Sequence, residues 1–149
     1  MEYSYKFRIY PNAEQENLIH RTFGCCRYVY NHYLSKRMEL YKENGSTINY
    51  VACAKDLTQL KRELPWLAEV DATALQSSLR NLDNAFQNFF RRVKNKERPY
   101  GYPKFKSKHV HRKSYVSKNN HGTIALSDKK IRLPKLGMVK CRISKEVQG

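Results

Sequence analysis

Between Arg91 and Tyr115 the chain sets ten cations (Arg91, Arg92, Lys94, Lys96, Arg98, Lys104, Lys106, Lys108, Arg112 and Lys113) among the rings of Tyr100, Tyr102, Phe105 and Tyr115. Ammonium and guanidinium groups fix phosphates, and planar rings stack on unpaired bases. The combination suits folded or single-stranded RNA and opened DNA. If about six to eight of these cations met phosphates, affinity would fall steeply with added salt. Within the same stretch His109-Val110-His111 places two imidazoles at i and i+2, on one side of a strand. Such a pair can share a divalent ion and, with a tyrosine nucleophile, nick single-stranded DNA. Lys106, Lys108, Arg112 and Lys113 surround it, however, and that field repels a cation and favours phosphate. We therefore assign no metal, no cofactor and no small-molecule substrate.

Other catalytic chemistry is poorly supplied. No Walker-type glycine-rich loop occurs, and the basic half carries only Glu97, Asp128 and Glu146, too few for the converging acids that two-metal phosphodiester cleavage needs. Cys25, Cys26, Cys53 and Cys141 have the spacing of neither a disulfide framework nor a zinc knuckle, and read as reduced, partly buried structural residues. By itself the chain reads as a binder.

The distribution of charge sharpens this. The net charge of the 149 residues is +16, but residues 1–90 hold 11 Lys plus Arg against 10 Asp plus Glu, and residues 91–149 hold 18 against 3. Charge so segregated repels itself unless a polyanion neutralises it. Anionic lipid is the weaker candidate, because the basic stretch is too rich in Pro, Gly, Ser and Asn to form an amphipathic helix. No apolar run nears the ~18 residues of a membrane span, and the first residues lack the pattern of a secretory signal, so a cytoplasmic protein with no membrane partner is expected.

These groups need elements to position them. Tyr3, Tyr5, Phe7 and Ile9 alternate with Ser4, Lys6, Arg8 and Tyr10, the period of a half-buried strand that Pro11 ends. Asn12 and Gln15 form a capping box for a helix from Ala13 to about Asn44, with Gly24 leaving open one helix or two with a bend. Its inner face is read as Leu18, Thr22, Cys25, Val29, His32 or Tyr33, Lys36 and Met38. A second helix is expected from about Asn49 to Glu63, before Pro65-Trp66. A third is capped by Asp71 and carries Leu75, Leu79, Leu82, Phe86, Phe89 and Val93 at helical spacing. Pro99, Gly101 and Pro103 then mark a basic connector, ordered by its ligand if at all. Short alternating runs at 114–117, 123–126, 130–133 and 138–144 read as strands. The first strand needs neighbours that only these can supply. The expected fold is therefore α+β: a small β-barrel of about five strands, interrupted by an inserted three-helix bundle. Its parts are the first strand (1–11), the helical lobe (12–94), the connector (95–113) and the remaining strands (114–149).

Several runs together resemble the N-terminal region of the TnpB/OrfB family of transposon-associated, RNA-guided DNA endonucleases. They are Arg8-Ile9-Tyr10-Pro11-Asn12, Gly24-Cys25-Cys26-Arg27-Tyr28-Val29-Tyr30-Asn31, Trp66 to Asp71, Ala74 to Leu79, Asn88 to Arg91, Gly101 to Lys106 and Leu133 to Gly137. The region is described as a transposase helix-turn-helix domain. The resemblance implies a wedge barrel with an inserted recognition lobe, a guide RNA, and target DNA bearing a short transposon-adjacent motif. It places motif-reading contacts at Tyr50, Gln76, Asn120 and His121. The amides of Gln76 and Asn120 suit adenine, and Tyr50 suits a base face or a thymine methyl. Ala72 and Thr73 stand where the family can present a long cation and an aromatic ring. Backbone contacts fall to Arg8, Arg91, Arg92, Lys94, Lys104, Lys106, Lys108, Arg112 and Lys113, and base stacking to Tyr102, Phe105 and Tyr115. The family's RuvC-like nuclease, with its three acidic residues and four-cysteine zinc element, has no counterpart in these 149 residues, so cleavage by this chain alone is not expected. The alternatives are part of a nuclease completed by a partner chain, or a helix-turn-helix repressor with the helix from Asp71 in the major groove.

Overall fold

The computed structural model describes residues 3–97, 101–108, 114–119 and 122–148. The order is β1 (Tyr3–Tyr10), α1 (Ala13–Asn44), α2 (Tyr50–Glu63), a 3-10 turn (Pro65–Glu69), α3 (Ala72–Asn95), β2 (Ala125–Ser127), β3 (Lys130–Leu133) and β4 (Gly137–Gln148). The chain divides into two compact units, Met1–Arg21 with Ser117–Gly149, and Thr22–Val116.

In the first unit the four strands form one antiparallel sheet in the order β1-β4-β3-β2. The sheet is open, with β1 and β2 at its edges, where a barrel was expected. The anticipated strand at 114–117 is also not formed: Ser114 to Asn119 have no regular structure. Alternation carries a β-signal there, but Tyr115 sets its ring edge-on against Phe23, 6.1 Å between centroids, in the helical unit. Ile131, Val139 and Cys141 are buried on one side of the sheet, with Phe7, Ile9, Ile124, Leu133 and Leu136 packed against them. Gly137, at φ +72°, closes the three-residue turn between β3 and β4 in a conformation that only glycine enters freely. The capping box holds reciprocally: Gln15 N–H donates to Asn12 Oδ1 and Asn12 N–H to Gln15 Oε1, each at 2.9 Å. Gln15 Nε2 also donates to the carbonyls of Leu136 and Met138, tying the start of α1 to that turn.

The second unit is helical. α1 runs unbroken through Gly24, settling the choice between one helix and two. Asn49 caps α2 by accepting from Ala52 N–H at 3.0 Å, and Asp71 caps α3 by accepting from Thr73 N–H at 2.9 Å. Leu75, Leu79, Leu82, Phe86 and Phe89 of α3 are buried as the stripe predicts, whereas Val93 is only half-buried; Val29, Tyr33 and Leu34 of α1 and Cys53, Leu57 and Leu60 of α2 are buried as well. The inner face of α1 differs from the reading: Ile19, Tyr30, Leu34 and Arg37 are buried, while Lys36 is exposed. Arg37 is buried because it has a partner. Its guanidinium donates to Asp83 Oδ1 at 3.1 Å and lies 4.4 Å over the Phe86 ring. The four cysteines are free thiols. Burial above all pushes the Cys26 thiol up to about 12, so it stays protonated at neutral pH.

Candidate nucleic-acid interface

Period two fixes the outer face of the sheet. Because Ile131, Val139 and Cys141 point to the core, Lys130, Arg132, Met138, Lys140 and Arg142 point the other way and are exposed, and Arg8 and Tyr10 do the same on β1. The register sets Arg8 opposite Arg142, Tyr10 opposite Lys140, and Lys140 opposite Lys130. Like charges directly opposite each other destabilise a sheet. Among the described residues none of the five cations has a carboxylate partner; Arg132 donates to the Gly122 carbonyl instead. Of these cations only Arg8 was a candidate on the sequence; Lys130, Arg132, Lys140 and Arg142 were not. Alternation within Lys130-Ile131-Arg132-Leu133 held part of the signal, but the cross-strand register did not.

The basic stretch begins on α3. Arg91, Arg92 and Lys94 are exposed in its last turns, where cations suit the negative helix end. Lys96 follows as the C-cap at φ 55°. Gly101 to Lys108 lacks regular structure, yet the protein itself orders it. Asn31 Nδ2 donates to the Lys106 carbonyl at 2.9 Å, and Lys106 N–H donates to Asn31 Oδ1 at 2.7 Å. Lys104, Lys106 and Lys108 are exposed. Arg112, Lys113 and the His109-Val110-His111 run lie outside the described residues.

The three expected stacking rings fare differently. Tyr102 stacks on Phe89 with centroids 4.8 Å apart, and the Lys42 ammonium sits 5.5 Å over it. Tyr115 is half-buried, and that burial pushes its hydroxyl up to about 12. Phe105 is 55% exposed.

Of the four motif-reading candidates, Asn120 and His121 lie outside the described residues. Gln76 is exposed on α3, and Tyr50 is the first residue of α2. Arg80, one turn after Gln76 on the same helix face, lays its guanidinium 4.1 Å from the Tyr50 ring centroid. Amide and guanidinium thus occupy successive turns of α3, with the phenol of α2 against the guanidinium. The spacing of four from Gln76 could have marked Arg80 in the sequence.

Among the described residues no three His, Cys, Asp or Glu side chains gather as a metal site would require, and no helix is long and apolar enough to cross a membrane. Residues 1–46 match the helix-turn-helix domain of OrfB proteins of the IS605 type. Within that span the described residues form β1, a short link and continuous α1, with no turn between two helices. The chain is 39% identical over 113 residues to a putative RNA-guided DNA endonuclease of Streptomyces pristinaespiralis, covering 74% of this chain and 27% of that protein. It is 30% identical over 149 residues to the putative RNA-guided DNA endonuclease InsQ of Escherichia coli K12, covering 98% and 35%. It is 34% identical over 113 residues to virulence protein VsdF of Salmonella dublin, covering 70% and 92%. The chain thus spans about a third or less of the length of the two endonucleases it matches.

Proposed function

Since the chain belongs to the TnpB/OrfB family, we propose that it is a nucleic-acid-binding module of an RNA-guided DNA endonuclease, acting in the cytoplasm. It holds a guide RNA and the transposon-adjacent motif of target DNA, and does not cut either strand by itself. The observation that carries this reading is the outer sheet face, where Arg8 meets Arg142 and Lys130 meets Lys140 without a carboxylate among the described residues. A phosphate chain laid across it replaces repulsion with charge-assisted contacts and releases its own counterions. On the same reading the sheet belongs to a wedge barrel, whose closure would engage the edges of β1 and β2. Tyr50, Gln76 and Arg80 contact base edges, and Asn120 and His121 are motif contacts of the sheet unit. Arg91, Arg92, Lys94, Lys104, Lys106, Lys108, Arg112 and Lys113 follow the backbone, and Phe105 is the ring best exposed to stack, beside Tyr102 and Tyr115. The apolar stripe of α3, buried in the bundle, counts against the repressor alternative, which needs that helix in the major groove.

Fluorescence anisotropy with structured RNA and with duplex DNA, repeated across KCl concentrations, tests the reading. Binding to RNA with log K falling linearly in log salt is expected, at a slope of about −0.7 to −0.9 per phosphate neutralised. Indifference to every oligonucleotide at low ionic strength overturns it. Release of cut DNA by this chain alone, with guide RNA and magnesium, overturns the non-catalytic part.

A further inference from the structure

Gly24, Arg27, Tyr28 and Asn31 follow one another at i, i+3, i+4 and i+7, so they share one face of α1. With His32 they line a wide-mouthed hollow of about 370 Å³. That lies at the low end of the ~300–1,000 Å³ of sites for small ligands. Gly24 leaves the upper end open, and the terminal nitrogen of Arg27 lies 3.7 Å from where a side chain at Gly24 would begin. Among the described residues that guanidinium has no hydrogen-bond or carboxylate partner, although it is partly buried. Tyr28 is 37% exposed yet held from two sides: edge-on by Trp66 at 5.1 Å, and nearly parallel to His32 at 5.8 Å. Trp66 is itself 41% exposed. Burial, with the Lys36 ammonium, lowers the His32 pKa, so its ring adds no positive charge at neutral pH. Asn31 frames the wall, its amide being spent on the Lys106 backbone.

A free inorganic anion would need the guanidinium but no ring, and a protein partner would need a broader apolar face. A guanidinium beside a pre-positioned, half-exposed ring fits a phosphate joined to a planar base. A paired base has its faces covered by neighbours, so the base must be unpaired. We propose that this hollow holds one unpaired nucleotide of the bound strand, with the base on Tyr28 and the phosphate on Arg27. The inference rests on the nucleic-acid-binding reading above.

Trp66 is the only tryptophan of the chain, and its contact with Tyr28 makes it the reporter. The full chain is titrated with single strands of RNA and of DNA of about 12 nucleotides, within the ~4–16 that such sites span, and with the blunt duplex. Anisotropy of a labelled strand reports binding, and Trp66 emission reports this site. Single strands should quench Trp66, whereas the duplex should bind without quenching. Quenching by RNA, by DNA or by both supports the site and identifies the source of the nucleotide. Tyr28→Leu should weaken single-strand binding by roughly 5- to 150-fold, the equivalent of the ~1–3 kcal/mol of one stacked base, and Arg27→Gln should weaken it and make its salt slope shallower by about 0.7. Tyr28→Phe should keep it, and duplex binding should not change. If single strands bind while Trp66 emission and both variants behave as wild type, or if the duplex quenches equally, the inference is wrong and the proposed function stands. If no oligonucleotide binds, both fall.

Discussion

The core of the helical unit and the outer face of the sheet unit deploy charge in opposite ways. In the core of the helical unit charged groups serve the fold: Arg37 is spent on Asp83 and Phe86, and Lys36 on Asp56 at 3.4 Å, while the exposed cations from Arg91 to Lys108 lie outside that core. In the sheet unit the core is small, and the cations opposite it face one another across the strands. The helical core therefore derives its stability from internal contacts, while the sheet face leaves electrostatic free energy for a ligand to recover. Charge alone does not make a binding surface. A cation is available to a phosphate when the fold gives it no closer acceptor.

The largest test of this contrast is a cavity. Leu82 is fully buried in the α3 stripe, and Leu82→Ala should destabilise the helical unit by about 2–5 kcal/mol in urea unfolding. An effect under about 1 kcal/mol would mean that the bundle is loosely packed. Next comes Arg37→Met, which strands a carboxylate that then has, among the described residues, only Gln87, at 2.9 Å, to answer it. A loss of about 3 kcal/mol is expected, because the side chain of Asp83 is only 17% exposed. Adding Asp83→Leu should recover much of that loss, as removal of a whole buried pair commonly does.

The same logic with the sign reversed applies to the sheet. Lys140→Glu with Arg142→Glu turns both like-charge pairs, Lys130 with Lys140 and Arg8 with Arg142, into opposite-charge pairs. The free chain should gain about 0.2–1 kcal/mol per pair in thermal unfolding. Its affinity for RNA should fall, and the salt slope should become shallower by about 0.7–0.9 for each phosphate that is no longer neutralised. A variant both less stable and equally tight in binding would erase the distinction between the units.

How far the sequence disclosed this contrast depended on the range of each interaction. The α3 stripe was legible because its apolar positions repeat every three or four residues and all but the last, Val93, are buried. The capping box of Asn12 and Gln15 was legible because both partners lie within one turn. Burial of Arg37 was hidden, since Asp83 is 46 residues away and an arginine in a helix ordinarily reads as surface. The strands could be read from alternation, but the rows of facing cations depend on register, which no single strand contains. Ser114 to Ser117 alternates like a strand yet pairs with none, its tyrosine seated on Phe23. Tyr102 carried the same sequence signal as Phe105, interleaved with lysines, but its ring lies on Phe89 while Phe105 stays exposed. What the sequence could not supply was which of two equivalent side chains the fold keeps for itself.

The smallest effect, a matter of pH, also separates the units. The Tyr33 hydroxyl donates to Asp56 at 2.7 Å, and this bond holds the carboxyl below its usual 3.8; partial burial opposes the shift, and Lys36 adds to it. The same carboxylate and burial push the Tyr33 hydroxyl up, so the bond persists across the neutral range. His32 is likewise lowered, by burial and by Lys36. Both groups bind protons more readily unfolded than folded, so their contribution is complete above the unfolded values and is lost as pH falls. The helical unit should thus weaken slightly as pH drops below about 6.5, where unfolded histidine begins to charge, and again below about 3.8. His32→Gln should remove the first step and Tyr33→Phe the second, each followed by chemical denaturation at stepped pH. The described exposed residues of the outer sheet face include no histidine. RNA affinity measured between pH 5 and 8 should therefore stay flat where it depends on that face, and a histidine-like inflection surviving in His32→Gln would show that another group takes part.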